Sequence, residues 1–98
     1  MSKISKEDYQ SMTDKPDNIQ VVVVNNLGEG YASESLLMLH KSGSKVKSQF
    51  AFKAEKANEH PLSFAFLYID GAMAGSYKLK PPITDISTVS ALNMEWEI

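Results

Sequence analysis

The sequence contains neither cysteine nor arginine among its 98 residues. Without cysteine the chain has no disulfide, thiolate nucleophile, thiolate metal site or iron–sulfur cluster. Without arginine it lacks the planar guanidinium group that reads guanine edges and binds phosphate through two parallel hydrogen bonds. Because the net charge is also −2, we expect no specific binding to nucleic acid.

Long apolar runs are also missing. No segment approaches the roughly 20 apolar residues of a membrane-spanning helix, and the N-terminus from Met1 to Asp8 has no apolar stretch typical of a signal peptide. With 43% hydrophobic and 22% charged residues, the composition is that of a folded chain. We therefore predict a soluble, cytoplasmic protein with a single domain over residues 1–98. Within it, residues 1–18 form an N-terminal arm that can begin as a short helix capped by Ser5.

Three segments have clear strand patterns. The β-branched run from Ile19 to Val24 is typical of a central strand buried on both faces. Residues 46–53 alternate between apolar and polar side chains, as do residues 92–98, which predicts strands with one solvent-facing side. With the hairpin described below, about six candidate strands predict an all-β fold, a small antiparallel β-sandwich.

Residues 33–41 fit two structures. They contain good helix formers and no β-branched residue, with Ser33 placed to cap a helix and Gly43 placed to end it. Four consecutive apolar residues also suit a strand, and residues 42–44 suit a hairpin link. We predict a strand, while a helix here would make the fold α+β.

A hairpin turning at Asp70-Gly71 is the best-defined element, because both central positions of a type I′ turn need positive φ. Pro61 is predicted to start its first strand after a polar connection over residues 54–61, and Pro81-Pro82 to end its second strand. If Ile69 faces Ala72, Phe66 lies over Gly75. This register predicts one shared core face made of Leu62, Phe64, Phe66, Tyr68, Tyr77 and Leu79.

The segment from Gly28 to Ser33 imitates a dinucleotide-binding turn, with the pattern G-x-G-x-x-S after an apolar strand. Its third glycine is missing and Glu29 would place negative charge beside a pyrophosphate. We interpret it as a loop and expect no cofactor.

The two histidines, His40 and His60, do not have metal-ligand spacing. We expect no catalytic or metal-binding residue. A small hydrolase or a metal-dependent enzyme using His40 or His60, with Glu59 or Asp70 as acidic partner, remains a weaker alternative.

The favoured function is a non-enzymatic binding or protein-interaction module. Tyr31, His60 and Trp96 are its candidate contact residues, since aromatic side chains are common anchors in binding sites. Self-association through edge strands is a natural form of this function, because a strand that runs to the last residue offers a sheet edge to a second copy.

The alternative function is binding to an anionic surface or membrane. Residues 41–80 hold seven lysines against three acidic residues, a charge of +4, whereas the remainder holds three lysines against nine acidic residues, a charge of −6. The candidate contacts are Lys45, Lys47 and Lys53, with Lys41 and Lys56 beside them. Alternatively, the acidic ends fold back against this basic middle.

Overall fold

Two four-stranded sheets packed against each other form the protein in the computed structural model, which describes residues 2–53 and 56–98. The strands are β1 (Ser2–Lys3), β2 (Ile19–Val24), β3 (Gly30–Ala32), β4 (Ser35–Ser42), β5 (Lys45–Ala51), β6 (Ala57–Ile69), β7 (Ala72–Asp85) and β8 (Ala91–Glu97). The first sheet has the order β1-β8-β5-β4 and the second sheet the order β3-β2-β6-β7. All neighbouring strands are antiparallel except β1 and β8. The predicted all-β, sandwich-like fold is confirmed.

One α-helix, α1 (Lys6–Asp14), follows β1, and short 3-10 turns lie at Pro16–Asn18 and Ile86–Thr88. The Ser5 hydroxyl accepts a hydrogen bond of 3.0 Å from the Asp8 backbone N–H, as the predicted cap requires. Met12 is buried and anchors the helix on the sandwich. No helix of the described residues is long and apolar enough to cross a membrane.

Residues 35–42 form a strand, as predicted, so the α+β alternative is not realised. The helix-forming propensity of this segment is overridden because β4 pairs along its length with β5. A β-bulge interrupts the pairing between Leu36 and Met38. Gly43, with φ of +62°, makes the turn into β5.

The core lies between the inner faces of the two sheets. It contains Ile19, Val21 and Val23 of β2, Ala65, Leu67 and Ile69 of β6, and Val46, Phe50, Met94 and Trp96 of the first sheet. Trp96 is fully buried, and its indole Nε1 donates a hydrogen bond of 2.9 Å to the Ser48 hydroxyl. The Ser48 hydroxyl in turn donates to the Met94 carbonyl at 3.3 Å. Both buried polar groups are therefore satisfied.

The C-terminal strand is not the sheet edge expected from the sequence. β8 lies between β1 and β5 in the first sheet, and β1 pairs with Trp96 and Glu97. Edge pairing of two copies through the end of β8 is blocked at these residues, because β1 of the same chain occupies that side.

The turn of the β6–β7 hairpin is confirmed, since Asp70 has φ of +52° and Gly71 has φ of +83°. The predicted register holds only for the first two pairs, Ile69 with Ala72 and Tyr68 with Met73. Ala74 is then an extra, unpaired residue on β7 and forms a β-bulge. Counting pairs outward from the turn does not reveal this bulge. Beyond it, the partners are Leu67 with Gly75, Phe66 with Ser76, Ala65 with Tyr77 and Phe64 with Lys78.

The predicted core face of β6 is wrong for its aromatic residues. β6 is apolar on both sides, and pairing with β2 turns Ala65, Leu67 and Ile69 inward. Phe64, Phe66 and Tyr68 therefore lie on the outer face, because alternate residues of a strand point to opposite sides. Leu62, Leu79 and Tyr77 contribute to the core as predicted. The aromatic ring over Gly75 belongs to Trp96 and not to Phe66: a Cβ at Gly75 would lie 3.3 Å from the indole.

Both hairpin strands are longer than predicted. β6 begins at Ala57, so residues 57–61 belong to the strand, while residues 54 and 55 of the predicted connection lie outside the described residues. β7 continues through Pro81 and Pro82 to Asp85. The two prolines are accommodated because β7 is an edge strand and because its pairing with β6 is irregular between the pairs Leu62–Ile83 and Phe64–Lys78, where the prolines lie.

Candidate protein-interaction surface

β2 and β6 are neighbours in the second sheet and carry apolar side chains on both faces. The inner face is covered by the first sheet, whereas the outer face has no such cover from the described residues. The prediction that β2 is buried on both faces is therefore wrong for one face. The apolar side chains of the open face are Val22, Val24, Phe64, Phe66, Tyr68 and Met73, which we call the outer β2–β6 face.

The register places these side chains in adjacent rows. Val22 pairs with Phe66 and Val24 with Phe64, so a valine and a phenylalanine lie side by side in two successive rows. Tyr68 lies in the next row, opposite Met73 of β7. Phe64 is 38% exposed and Met73 62% exposed, and the other four side chains are half-buried. The result is a continuous apolar strip along the middle of the sheet.

The two central strands of the first sheet, β5 and β8, show what a solvent-facing side normally carries. On the outer face of this sheet Lys45 pairs with Glu97, and Lys47 pairs with Glu95. Alternation of buried apolar and exposed polar residues is typical of an antiparallel sheet with one wet face. The outer β2–β6 face departs from this pattern, and contiguous exposed apolar patches commonly mark interaction sites.

Small residues of β3 leave the valines of β2 accessible. Ala32 pairs with Val22, and Gly30 pairs with Val24. A Cβ at Gly30 would lie 1.7 Å from the Val23 carbonyl oxygen, so only glycine fits this close approach of the two strands. The β3 side of the apolar strip is consequently low and flat.

A groove of about 640 Å³ lies at one end of the outer β2–β6 face. Its lining includes Asp17, Gln20, Val22, Glu34, Tyr68 and Asp70. Ser33, where the chain leaves β3, also lines the groove, and its buried hydroxyl accepts a hydrogen bond of 2.9 Å from the Val21 N–H. The carboxylates of Asp17, Glu34 and Asp70 make this the acidic end of the face, partly balanced by Lys15, whose Nζ lies 3.7 Å from Asp70 Oδ2.

The other end of the face carries positive charge. Lys78 of β7 pairs with Phe64, and Lys80 follows two residues later on the same side of the strand; both are exposed. These two lysines form the basic end. Tyr68 and Phe64 are four strand residues apart, or about 13 Å, so the apolar strip separates charges of opposite sign at its two ends.

The candidate contact residues from the sequence fall in different places. Trp96 is fully buried, which prevents direct contact of its indole with a partner of the folded chain. Tyr31 pairs with Val23 and packs half-buried against the core. Together with Lys56 it lines a pocket at this end of the sandwich. His60 is exposed within β6, not in the predicted connection.

The candidate lysines are exposed, but acidic residues lie beside two of them. Lys45 and Lys47 lie directly opposite Glu97 and Glu95 on β8, and Lys53 follows β5. Opposite charges on adjacent strands attract each other, and such a pair presents little net charge to a distant surface. The acidic C-terminal strand thus folds back against the basic middle of the chain, as one of the two sequence interpretations expects.

The side chains considered for chemistry do not converge. His40 lies on β4, opposite Lys47 of the first sheet, whereas His60 lies in the second sheet. Among the described residues, no three His, Asp or Glu side chains are placed to hold a metal ion. The interpretation of the Gly28–Ser33 segment as a loop is wrong for Gly30–Ala32, which forms β3 and pairs antiparallel with β2. The segment therefore lacks the parallel strand–helix context of a dinucleotide-binding turn.

The residues of the outer β2–β6 face are not among the candidates drawn from the sequence. Their signal is present there, because Val21–Val24 and Phe64–Ile69 are apolar at successive positions. Such runs are typical of strands covered on both sides.

Comparison of the chain with protein-family models, with curated proteins and with solved structures found no match.

Proposed function

We propose that the protein is a non-enzymatic interaction module that binds a protein partner on the outer β2–β6 face. One observation carries this proposal. The two central strands of the second sheet are apolar on both faces, and the outer face is not covered by another layer of the described residues.

The energetic argument follows from the exposure of these side chains. Full burial of a valine or phenylalanine contributes about 1.5–3 kcal/mol, so completing the burial of a half-buried one contributes roughly 1 kcal/mol. Six such residues offset part of the translational and rotational entropy lost on association, and the charged ends add orientation. This balance favours a partner held with modest affinity.

The alternative functions have less support. An anionic surface would have to attract lysines whose charge is offset by Glu95 and Glu97 on the neighbouring strand. A small hydrolase or metal enzyme would need the histidines beside other reactive groups, and His40 and His60 lie in different sheets.

The proposal is tested by site-specific photocrosslinking in the cells that produce the protein. A benzophenone amino acid replaces Phe64 on the outer β2–β6 face, and in a control it replaces His40, an exposed residue of the opposite sheet. We expect a discrete crosslinked product from position 64 and none from position 40. Equal products from both positions, or no product from position 64, would contradict the proposal.

A further inference from the structure

We propose that the partner on the outer β2–β6 face is a second copy of this chain, packed face to face with its strands running in the opposite direction. This inference rests on the proposed function, because it identifies the occupant of that same face. The observation that supports it is that the apolar strip has an acidic end and a basic end.

The geometry of such a pair follows from two-fold symmetry. Two identical faces oppose each other when the axis lies in the plane between them. An axis perpendicular to the strands at Phe66 reverses the order of the rows. Phe66 of one copy then meets Phe66 of the other, and Tyr68 of each copy meets Phe64 of the other, since Phe66 is midway between them in β6. Sheets packed in this way lie about 10 Å apart, with aromatic side chains filling the space.

Charge selects this orientation over the reverse. With reversed strands, the acidic end of each copy lies at the same end of the dimer as the basic end of the other. Because the axis keeps β7 opposite β7, the facing charges are Asp70 at the hairpin turn of one copy and Lys80 of the other, and Asp17 and Glu34 lie toward β2 and β3. This complementary contact occurs twice in one dimer. With strands running in the same direction, the two acidic ends would lie together at one end of the dimer and the lysines of both copies at the other end, which is repulsive. The face is therefore complementary to itself in one arrangement.

The size of the face determines the strength of the pair. Four strands at about 4.8 Å spacing and five residues at about 3.3 Å rise cover a region of roughly 19 by 17 Å. The area of this region, roughly 320 Å², is smaller than the roughly 800 Å² that each partner contributes to a standard stable interface. The monomer also keeps its own core between its two sheets. We therefore expect a reversible dimer in equilibrium with folded monomer.

The first test measures mass against concentration by analytical ultracentrifugation, from about 1 µM to about 1 mM, the range in which weak dimers form. We expect the average mass to rise from the chain mass of 10.9 kDa toward twice that value. Phe64→Thr should weaken this association at least tenfold. The matched control is Met38→Thr, which removes an apolar side chain of similar exposure, 43% against 38%, from the first sheet.

The second test exchanges the charges. One variant carries Lys78→Glu and Lys80→Glu, and the other carries Asp70→Lys; all three native side chains are exposed. Each variant alone places like charges opposite each other and should remain monomeric where the wild type dimerises. An equimolar mixture restores opposite charges at both ends and should form a heterodimer. Self-association of either variant at wild-type strength, or failure of the mixture to associate, would overturn the proposed arrangement.

The outcomes separate this inference from the proposed function. A wild-type chain that stays at 10.9 kDa throughout, while position 64 crosslinks to a different protein, overturns the second copy as occupant and leaves the docking face in place. A chain that dimerises equally well with Phe64→Thr as with Met38→Thr uses another surface, and this overturns the inference. Absence of both dimer and crosslink overturns both proposals.

Discussion

Replacing Ser48 with alanine tests the polar contact at the centre of the core. The Ser48 side chain is buried, and its hydroxyl accepts a hydrogen bond of 2.9 Å from Trp96 Nε1 while donating to the Met94 carbonyl. Ser48→Ala leaves the indole N–H buried without an acceptor. Such an unsatisfied buried donor costs about 1–3 kcal/mol, more than the roughly 1 kcal/mol of an ordinary hydrogen bond. We expect the free energy of unfolding to fall by that larger amount.

The assay uses the single tryptophan of the chain. Urea unfolding is followed by tryptophan emission, which moves to longer wavelength as Trp96 leaves the core. The midpoint should fall while the dependence of unfolding free energy on urea stays constant, because the surface exposed on unfolding is nearly unchanged. Ser42→Ala, at an exposed position of β4, serves as the control and should change stability by no more than about 0.5 kcal/mol. Equal effects of the two substitutions would refute the role assigned to Ser48.

Three further predictions concern the backbone and the helix. Gly75→Ala places a Cβ 3.0 Å from the Ile4 side chain, and a lowered thermal midpoint with a loss of about 1–3 kcal/mol is expected from overpacking; unchanged stability would contradict the tight packing. Gly30→Ala places a Cβ 1.7 Å from the Val23 carbonyl oxygen, so β3 should separate from β2, seen as faster amide exchange at residues 30–32; wild-type exchange would count against this close approach. Ser5→Ala removes the cap of α1 and should cost about 1 kcal/mol in urea unfolding, whereas Ser5→Asp should retain most of that stability.

The fold class could be predicted because its signals are local. The β-branched run of β2, the alternation in residues 46–53 and 92–98, and the Asp70-Gly71 turn each depend on neighbouring residues alone. Each is present as a strand or a turn in the structure. The helix after Ser5 likewise follows from its cap and the acidic residues of its first turn.

The orientation of β6 could not be predicted in the same way. Its two faces are similarly apolar, so hydrophobic pattern does not distinguish the core face from the open face. The choice is made by pairing with β2, whose residues lie forty or more positions earlier in the chain, and the bulge at Ala74 then separates Tyr77 from the row of Phe64. Extrapolation from the turn therefore assigned the aromatic residues to the wrong side.

The candidate site depends on the same ambiguity. Residue type makes Trp96 and Tyr31 candidate contacts from the sequence, yet both pack in or against the core. The register extrapolated from the turn places Phe64 and Phe66 in the core, yet they lie on the outer face. An apolar strand face becomes informative about function only when the tertiary structure shows that nothing in the same chain covers it.

If the outer β2–β6 face is the contact surface, the amide chemical shifts of its residues respond to association. They are recorded for the wild-type chain as concentration is raised from dilute to about 1 mM. We expect progressive shift changes in residues 20–24, 64–68 and 76–80, with β5 and β8 unaffected. Changes centred on β5 and β8, or spectra independent of concentration together with no crosslink from position 64, would contradict this expectation.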